Sequence, residues 1–184
     1  TAPRLVTWVL TFACNARCLM CDSWRKPPAG ELDHEGALAV VERLPRLDAV
    51  RLTGGEPFLR ADLPELIEAL RRRCRPLLLH LTTNGFLTSR IVRICEERDR
   101  SLPLHLLLSM DGVGEMHNRI RGRGDAWERS LATLEALAPR GKELNLRLAV
   151  NQTVVDPEGL DEYVRLREFL RPHGVRNQLV VAYE

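Results

Sequence analysis

The 184-residue sequence predicts an α/β fold: an open partial (β/α)6 TIM-like barrel built on a parallel sheet. Three observations predict it. Short apolar and β-branched runs alternate with segments whose apolar residues recur at helical spacing, the rhythm of a parallel sheet flanked by helices. A complete eight-unit barrel takes about 250 residues, roughly 31 per unit, so this length accommodates about six units. Polar and cysteine-bearing motifs follow the predicted strands, where a barrel of this type collects its functional loops.

Taken in order, the strands are expected at Leu5–Thr11, Ala49–Thr53, Leu77–Thr83, Leu104–Met110, Asn145–Thr153 and Val175–Ala182. Between the first and second, Lys26–Gly30 (KPPAG) reads as a loop leading into the first helix. Leu63, Leu66, Ile67, Leu70 and Cys74 form one apolar stripe between strands two and three, and Leu87, Ile91, Ile94 and Cys95 form the next. Trp127, Leu131, Leu134 and Leu137 mark a helix closed by Pro139 and Gly141; Tyr163, Leu166 and Leu170 mark one closed by Pro172 and Gly174.

Composition is that of an ordinary soluble domain, 45% hydrophobic and 28% charged with a net charge of +2. The densest basic run, Arg71, Arg72, Arg73 and Arg75, closes a helix and favours its C-terminus, so nucleic-acid binding is not indicated. The apolar run Leu5–Phe12 is too short to span a bilayer and lacks the layout of a secretory signal, which predicts a cytoplasmic protein without a membrane segment. A single domain over 1–184 is expected. The start at Thr1 and the stop at Glu184, directly after an apolar strand-like run, lead us to expect a core lacking C-terminal flanking segments.

Of the five cysteines, three crowd into eight residues, a pattern that metal ligation explains better than disulfides. Cys14, Cys18 and Cys21 are spaced by three residues and then two, in a loop that follows the first strand. Three thiolates hold a [4Fe–4S] cluster and leave its fourth iron open to another ligand. A closed zinc site would want four ligands, and no fourth Cys or paired His lies at the usual spacing. Cys74 and Cys95 sit on apolar helix stripes and read as small buried hydrophobes.

Gly54, Gly55, Glu56 and Pro57 follow the second strand. With this GGEP loop behind a Cys-x3-Cys-x2-Cys motif, the chain resembles the radical S-adenosylmethionine (SAM) enzyme family. The segment Ser109–Gly122 (SMDGVGEMHNRIRG) is similar to one in members that mature peptides, activate sulfatases or act in cofactor biosynthesis. The resemblance implies a [4Fe–4S] cluster on Cys14, Cys18 and Cys21. It implies that Gly54, Gly55 and Glu56 bind the amino end of SAM, and that Ser109 and Arg121 hold its carboxylate. Met20 stands where most members carry an aromatic residue near the adenine. Thr83 and Asn84 after strand three, and Asn151 on strand five, are expected to face the ribose and adenine, and the segment Val180–Tyr183 to offer the adenine backbone groups. Asp111 and His117 lie near the same rim without an assigned role.

The implied activity is reductive cleavage of SAM to a 5′-deoxyadenosyl radical that abstracts a hydrogen from substrate. It requires a flavodoxin- or ferredoxin-type electron donor. The substrate, a peptide or a small metabolite, is not readable from the sequence. Two alternatives stand beside this reading: a zinc-binding interaction module and a non-catalytic iron–sulfur scaffold.

Overall fold

The computed structural model describes residues 2–27 and 29–182; Pro28 in the expected first loop and Tyr183 in the expected closing segment lie outside the described residues. Six strands, β1 (Leu5–Val9), β2 (Ala49–Thr53), β3 (Leu78–Thr83), β4 (Leu104–Ser109), β5 (Leu146–Val154) and β6 (Arg176–Val181), form one sheet in chain order. Every neighbouring pair is parallel, so each connection crosses over through helix. The helices are α1 (His34–Arg43), α2 (Leu63–Cys74), α3 (Thr88–Glu97), α4 (Glu115–Arg121), α5 (Ala126–Leu137) and α6 (Glu158–Leu170).

The stripes read from the sequence are the faces that pack. Leu63, Leu66, Ile67, Leu70 and Cys74 of α2 and Ile91, Ile94 and Cys95 of α3 are buried against Val50, Leu52, Leu79, Leu81, Leu104 and Leu106 of the sheet. A second cluster joins Leu108 and Val150 to Leu134 of α5 and Leu166 and Leu170 of α6. Burying each such side chain contributes about 1.5–3 kcal/mol, which fixes the strand parity. Residues alternating with them on the strands must face away from the helices, toward the hollow of the half barrel.

Helix ends follow local chemistry. The Asp33 carboxylate accepts from the Gly36 backbone N–H at 2.8 Å and caps α1, while α2 ends at Arg75 in the left-handed region. Strand ends differ from the sequence expectation by one or two residues. β1 stops at Val9 because Thr11 already turns to bond Glu31, its Oγ1 donating to Oε2 at 2.8 Å. The short helix α4 was not expected from the sequence: its seven residues offer only Met116 and Ile120 as apolar positions. His117, to which the sequence assigned no role, lies within it, fully buried.

Candidate functional site

The C-terminal ends of β1 to β5 meet around a cavity of about 180 Å³ lined by Cys14, Cys18, Cys21, Met20, Trp24, Thr53, Gly54, Gly55, Thr82, Thr83, Asn84, Ser109, Arg121 and Thr153, among others. The three cysteines, all free, reach it from the loop after β1. Among the described residues, no three His, Cys, Asp or Glu side chains converge on a single metal-ion position. One zinc ion would draw its sulfurs within roughly 4 Å of each other by 2.3 Å bonds, whereas a cubic cluster spreads three sulfurs over three irons. Three thiols around one cavity are the number that leaves one iron of a [4Fe–4S] cluster open, and one short of a closed zinc site.

The cysteine loop is held from both sides by backbone. On one side, Gly55 N–H donates to Thr11 O at 2.6 Å and Glu56 N–H to Ala13 O at 2.8 Å. The approach is so close that a Cβ on Gly55 would stand 2.2 Å from Ala13 O. On the other side, Arg17 N–H donates to Arg121 O at 2.9 Å and Leu19 N–H to Ile120 O at 3.0 Å. Gly122, left-handed at φ 63° where it closes α4, lies against Arg17, whose carbonyl a Cβ would meet at 2.3 Å.

Charges around the thiols are arranged in pairs. Burial pushes the Cys14 and Cys18 thiols up, with Arg121 opposing the rise at Cys18. Arg121 is buried, its Nη1 3.5 Å from Cys18 Sγ and its Nε 2.6 Å from Asp111 Oδ2. Asp111 is fully buried as well; its Oδ1 accepts from Thr153 N–H at 2.8 Å, and its own N–H donates to His117 Nδ1 at 3.0 Å. Burial holds His117 well below the usual imidazole range. The acceptor role of Nδ1 puts the proton on Nε2, which faces Ser130 Oγ at 3.2 Å, and Ser130 in turn donates to Asn84 O at 2.9 Å. A continuous buried polar chain thus ties β3, β4, β5 and α5 together beneath the cavity.

Glu56 lies outside the cavity lining. Its carboxylate is fully buried and already accepts from Phe58 N–H at 3.1 Å, Thr83 Oγ1 at 2.9 Å and Asn84 N–H at 2.7 Å. Through these bonds it clamps the loops after β2 and β3 to each other. Burial raises it to about 7 against the pull of those three donors. Asn151 also lies outside the cavity lining. It faces the hollow beside its register partner Ser109, and Thr153, two residues on, lies at the cavity wall in its place.

The remaining expected residues, Cys14, Cys18, Cys21, Met20, Gly54, Gly55, Thr83, Asn84, Ser109 and Arg121, all line the cavity. Asn84 Nδ2 donates to Asn15 Oδ1 at 2.6 Å and lies 3.9 Å from Cys14 Sγ. Sequence reasoning missed Trp24, with Arg25 stacked 4.7 Å from its ring, and the threonines Thr53, Thr82 and Thr153. Strand alternation was the available signal for the threonines. It also missed Glu31, whose carboxylate fixes the start of the cysteine loop by accepting from Phe12 N–H at 2.6 Å.

Comparisons with known proteins show the family and the fold. A family model described as the Radical SAM superfamily matches residues 8–170. An AdoMet-dependent heme synthase of Methanosarcina barkeri (strain Fusaro / DSM 804) is 33% identical over 178 residues, covering 94% of this chain and 48% of the relative. Mycofactocin maturase MftC of Mycolicibacterium smegmatis (strain ATCC 700084 / mc(2)155) is 30% identical over 175 residues, covering 90% and 42%. Among solved structures, native anSMEcpe with bound AdoMet and Cp18Cys peptide superimposes with a TM-score of 0.75 at 19% identity, over 98% of this chain and 51% of that one, a likeness of fold. The chain spans about half the length of the curated relatives it matches.

Proposed function

This chain belongs to the radical SAM superfamily of enzymes, and from that premise we propose that it binds a [4Fe–4S] cluster through Cys14, Cys18 and Cys21 and reductively cleaves S-adenosylmethionine there. The observation that carries the reading is the shared cavity, in which the three thiols meet the Gly54–Gly55 turn, Ser109 and Arg121 at one rim. When bound, the cluster and SAM supply the one-electron chemistry that yields a 5′-deoxyadenosyl radical for hydrogen abstraction. Everything else falls to the chain's own groups. The Cys14 and Cys18 thiols, held protonated by burial, release their protons as metal enters. Arg121, oriented by Asp111, compensates the negative charge at Cys18 and offers its guanidinium edge, with Ser109, to a carboxylate. Gly54 and Gly55 present backbone to the amino end, and Glu56 keeps that turn in place. Met20 and Asn84 close the sides, and the buried chain from Asp111 to Ser130 keeps the floor rigid and dry.

In this reading residues 1–184 are the radical SAM core of a longer protein, which acts in the cytoplasm on a peptide or a small metabolite and draws electrons from a flavodoxin- or ferredoxin-type donor. The span of about half the relatives' length supports the first point, and relatives named for heme synthesis and for mycofactocin maturation support both substrate classes. Among the described residues no helix is long and apolar enough to cross a membrane. The test is anaerobic reconstitution with iron and sulfide, followed by dithionite and SAM. Formation of 5′-deoxyadenosine is expected, with loss of both visible colour and SAM cleavage in Cys18→Ala. A colourless protein holding stoichiometric zinc, or a Cys18→Ala variant that keeps colour and cleavage, would overturn the proposal.

A further inference from the structure

Below the cavity, the hollow face of the sheet carries a row of two arginines and two histidines. Strand register aligns Arg51 of β2 with His80 of β3, His80 with His105 of β4, and His105 with Arg147 of β5. At roughly 4.8 Å per strand, the row extends about 14 Å across the sheet. Its direction is set by its neighbours, since Val50, Leu52, Leu79, Leu81, Leu104 and Leu106 are buried against the helices. The four side chains therefore point into the hollow.

The inward positions of the six strands include no Asp or Glu. Among the described residues, Arg51 and Arg147 take part in no salt bridge and no side-chain hydrogen bond, so both guanidinium groups are free to meet a ligand. The His80 and His105 rings lie 4.9 Å apart, and the Nε2 atom of each is buried without a hydrogen-bond partner. Two guanidinium groups without a carboxylate partner, flanking this pair of rings, favour an anionic ligand. Burial and the facing Arg51 lower His80 to about 4, and burial with Arg147 lowers His105, so at neutral pH both rings are neutral and each has one N–H to donate.

The row lies one layer of side chains below the cavity. Thr53 and Thr82, which line it, stand two residues beyond Arg51 and His80 on the same strands, about 7 Å further up. We infer that this row is a docking site for a small-molecule substrate bearing at least two carboxylates, which Arg51 and Arg147 hold at its two ends while His80 and His105 donate between them. Guanidinium forks suit carboxylates bidentately, and the threonine layer leaves the un-ionised part of the molecule directed at the cavity. The inference rests on the proposed function of the same site, because it treats the hollow as the approach to the reacting centre.

Its test requires neither iron nor SAM. The metal-free chain is titrated with biphenyl-4,4′-dicarboxylate and with biphenyl-4-carboxylate by calorimetry, while the imidazole resonances of His80 and His105 are followed by NMR. The dicarboxylate is expected to bind at least tenfold more tightly than the monoacid and to shift both imidazole signals. Arg51→Gln and Arg147→Gln, both at exposed positions, are each expected to weaken it about tenfold, and Arg43→Gln at the end of α1 to leave it unchanged. Equal affinities for the two acids, undiminished binding in both row variants, or tighter binding of hexaglutamate than of the dicarboxylate would overturn the inference. Formation of 5′-deoxyadenosine by the reconstituted wild-type protein is scored separately. Failure there with dicarboxylate binding intact counts against the proposed function, and the reverse pattern against this site alone.

Discussion

Gly55→Ala measures how much the cysteine loop depends on backbone contact. A Cβ at residue 55 would stand 2.2 Å from Ala13 O and 2.6 Å from Phe12 O, both backbone atoms that no side-chain rotation can clear. Restoring ordinary contact requires a displacement of about 1 Å, enough to break the 2.6 Å bond to Thr11 O and the 2.8 Å bond to Ala13 O. Each buried backbone group left unpaired costs about 1–3 kcal/mol, so the variant should lose about 3 kcal/mol. With a urea dependence of about 2–3 kcal/mol/M, the unfolding midpoint of the metal-free chain falls by about 1 M, read by tryptophan fluorescence. Iron bound per chain after reconstitution should fall with it, because the loop that carries Cys14 is the part displaced. Two further alanines separate the causes. Gly174→Ala, at φ 66° with open space around it, should cost only the torsional penalty of about 1 kcal/mol, and Gly124→Ala, also in open space, should stay within about 0.5 kcal/mol of wild type. A Gly55→Ala protein with the wild-type midpoint and full iron would refute the view that this close approach holds the loop.

Three other outcomes follow from the buried charges. Asp111→Ala leaves the Arg121 guanidinium buried and unpaired and should cost about 3–5 kcal/mol in urea unfolding, whereas Asp111→Ala combined with Arg121→Met should recover much of that loss. Glu56, raised to about 7 from an ordinary 4.5, keeps its proton in the folded chain while the unfolded chain ionises. Its contribution is therefore full below pH 4.5 and declines by about 3 kcal/mol as pH rises to 7, a slope that Glu56→Gln should remove from the stability profile. His117 acts in the opposite sense. Held neutral in the fold, it contributes fully above pH 6.5 and loses up to about 1.4 kcal/mol per pH unit as acid protonates the unfolded chain first, and His117→Gln should flatten that limb.

The sequence made the frame legible because its signals are local. Leu63, Leu66, Ile67, Leu70 and Cys74 repeat at helical spacing, and all five are buried. Helix α4 escaped notice because its seven residues are ordered by what they touch, through the bonds from Arg17 and Leu19 to its last turn, rather than by an apolar stripe. The same division runs through the site. Cys14, Cys18, Cys21 and the Gly54–Gly55 pair announce themselves by type and spacing within a few residues. The role of Glu56 depends on partners 27 and 28 positions away, Thr83 and Asn84, and the orientation of Asp111 depends on Thr153, 42 positions away. Spacing along the chain carries no record of such pairings.

The cysteine loop is gripped by peptide groups on both flanks, from Gly55 and Glu56 on one side and from Arg121 and Ile120 on the other. Peptide groups read position and ignore side-chain identity. Variation at Arg17 or Leu19 should therefore be tolerated far better than the insertion of a single residue between Cys14 and Cys21. One extra residue would throw the two flanks out of register with each other and carry a thiol away from the cavity, so the loop works as a gauge of length.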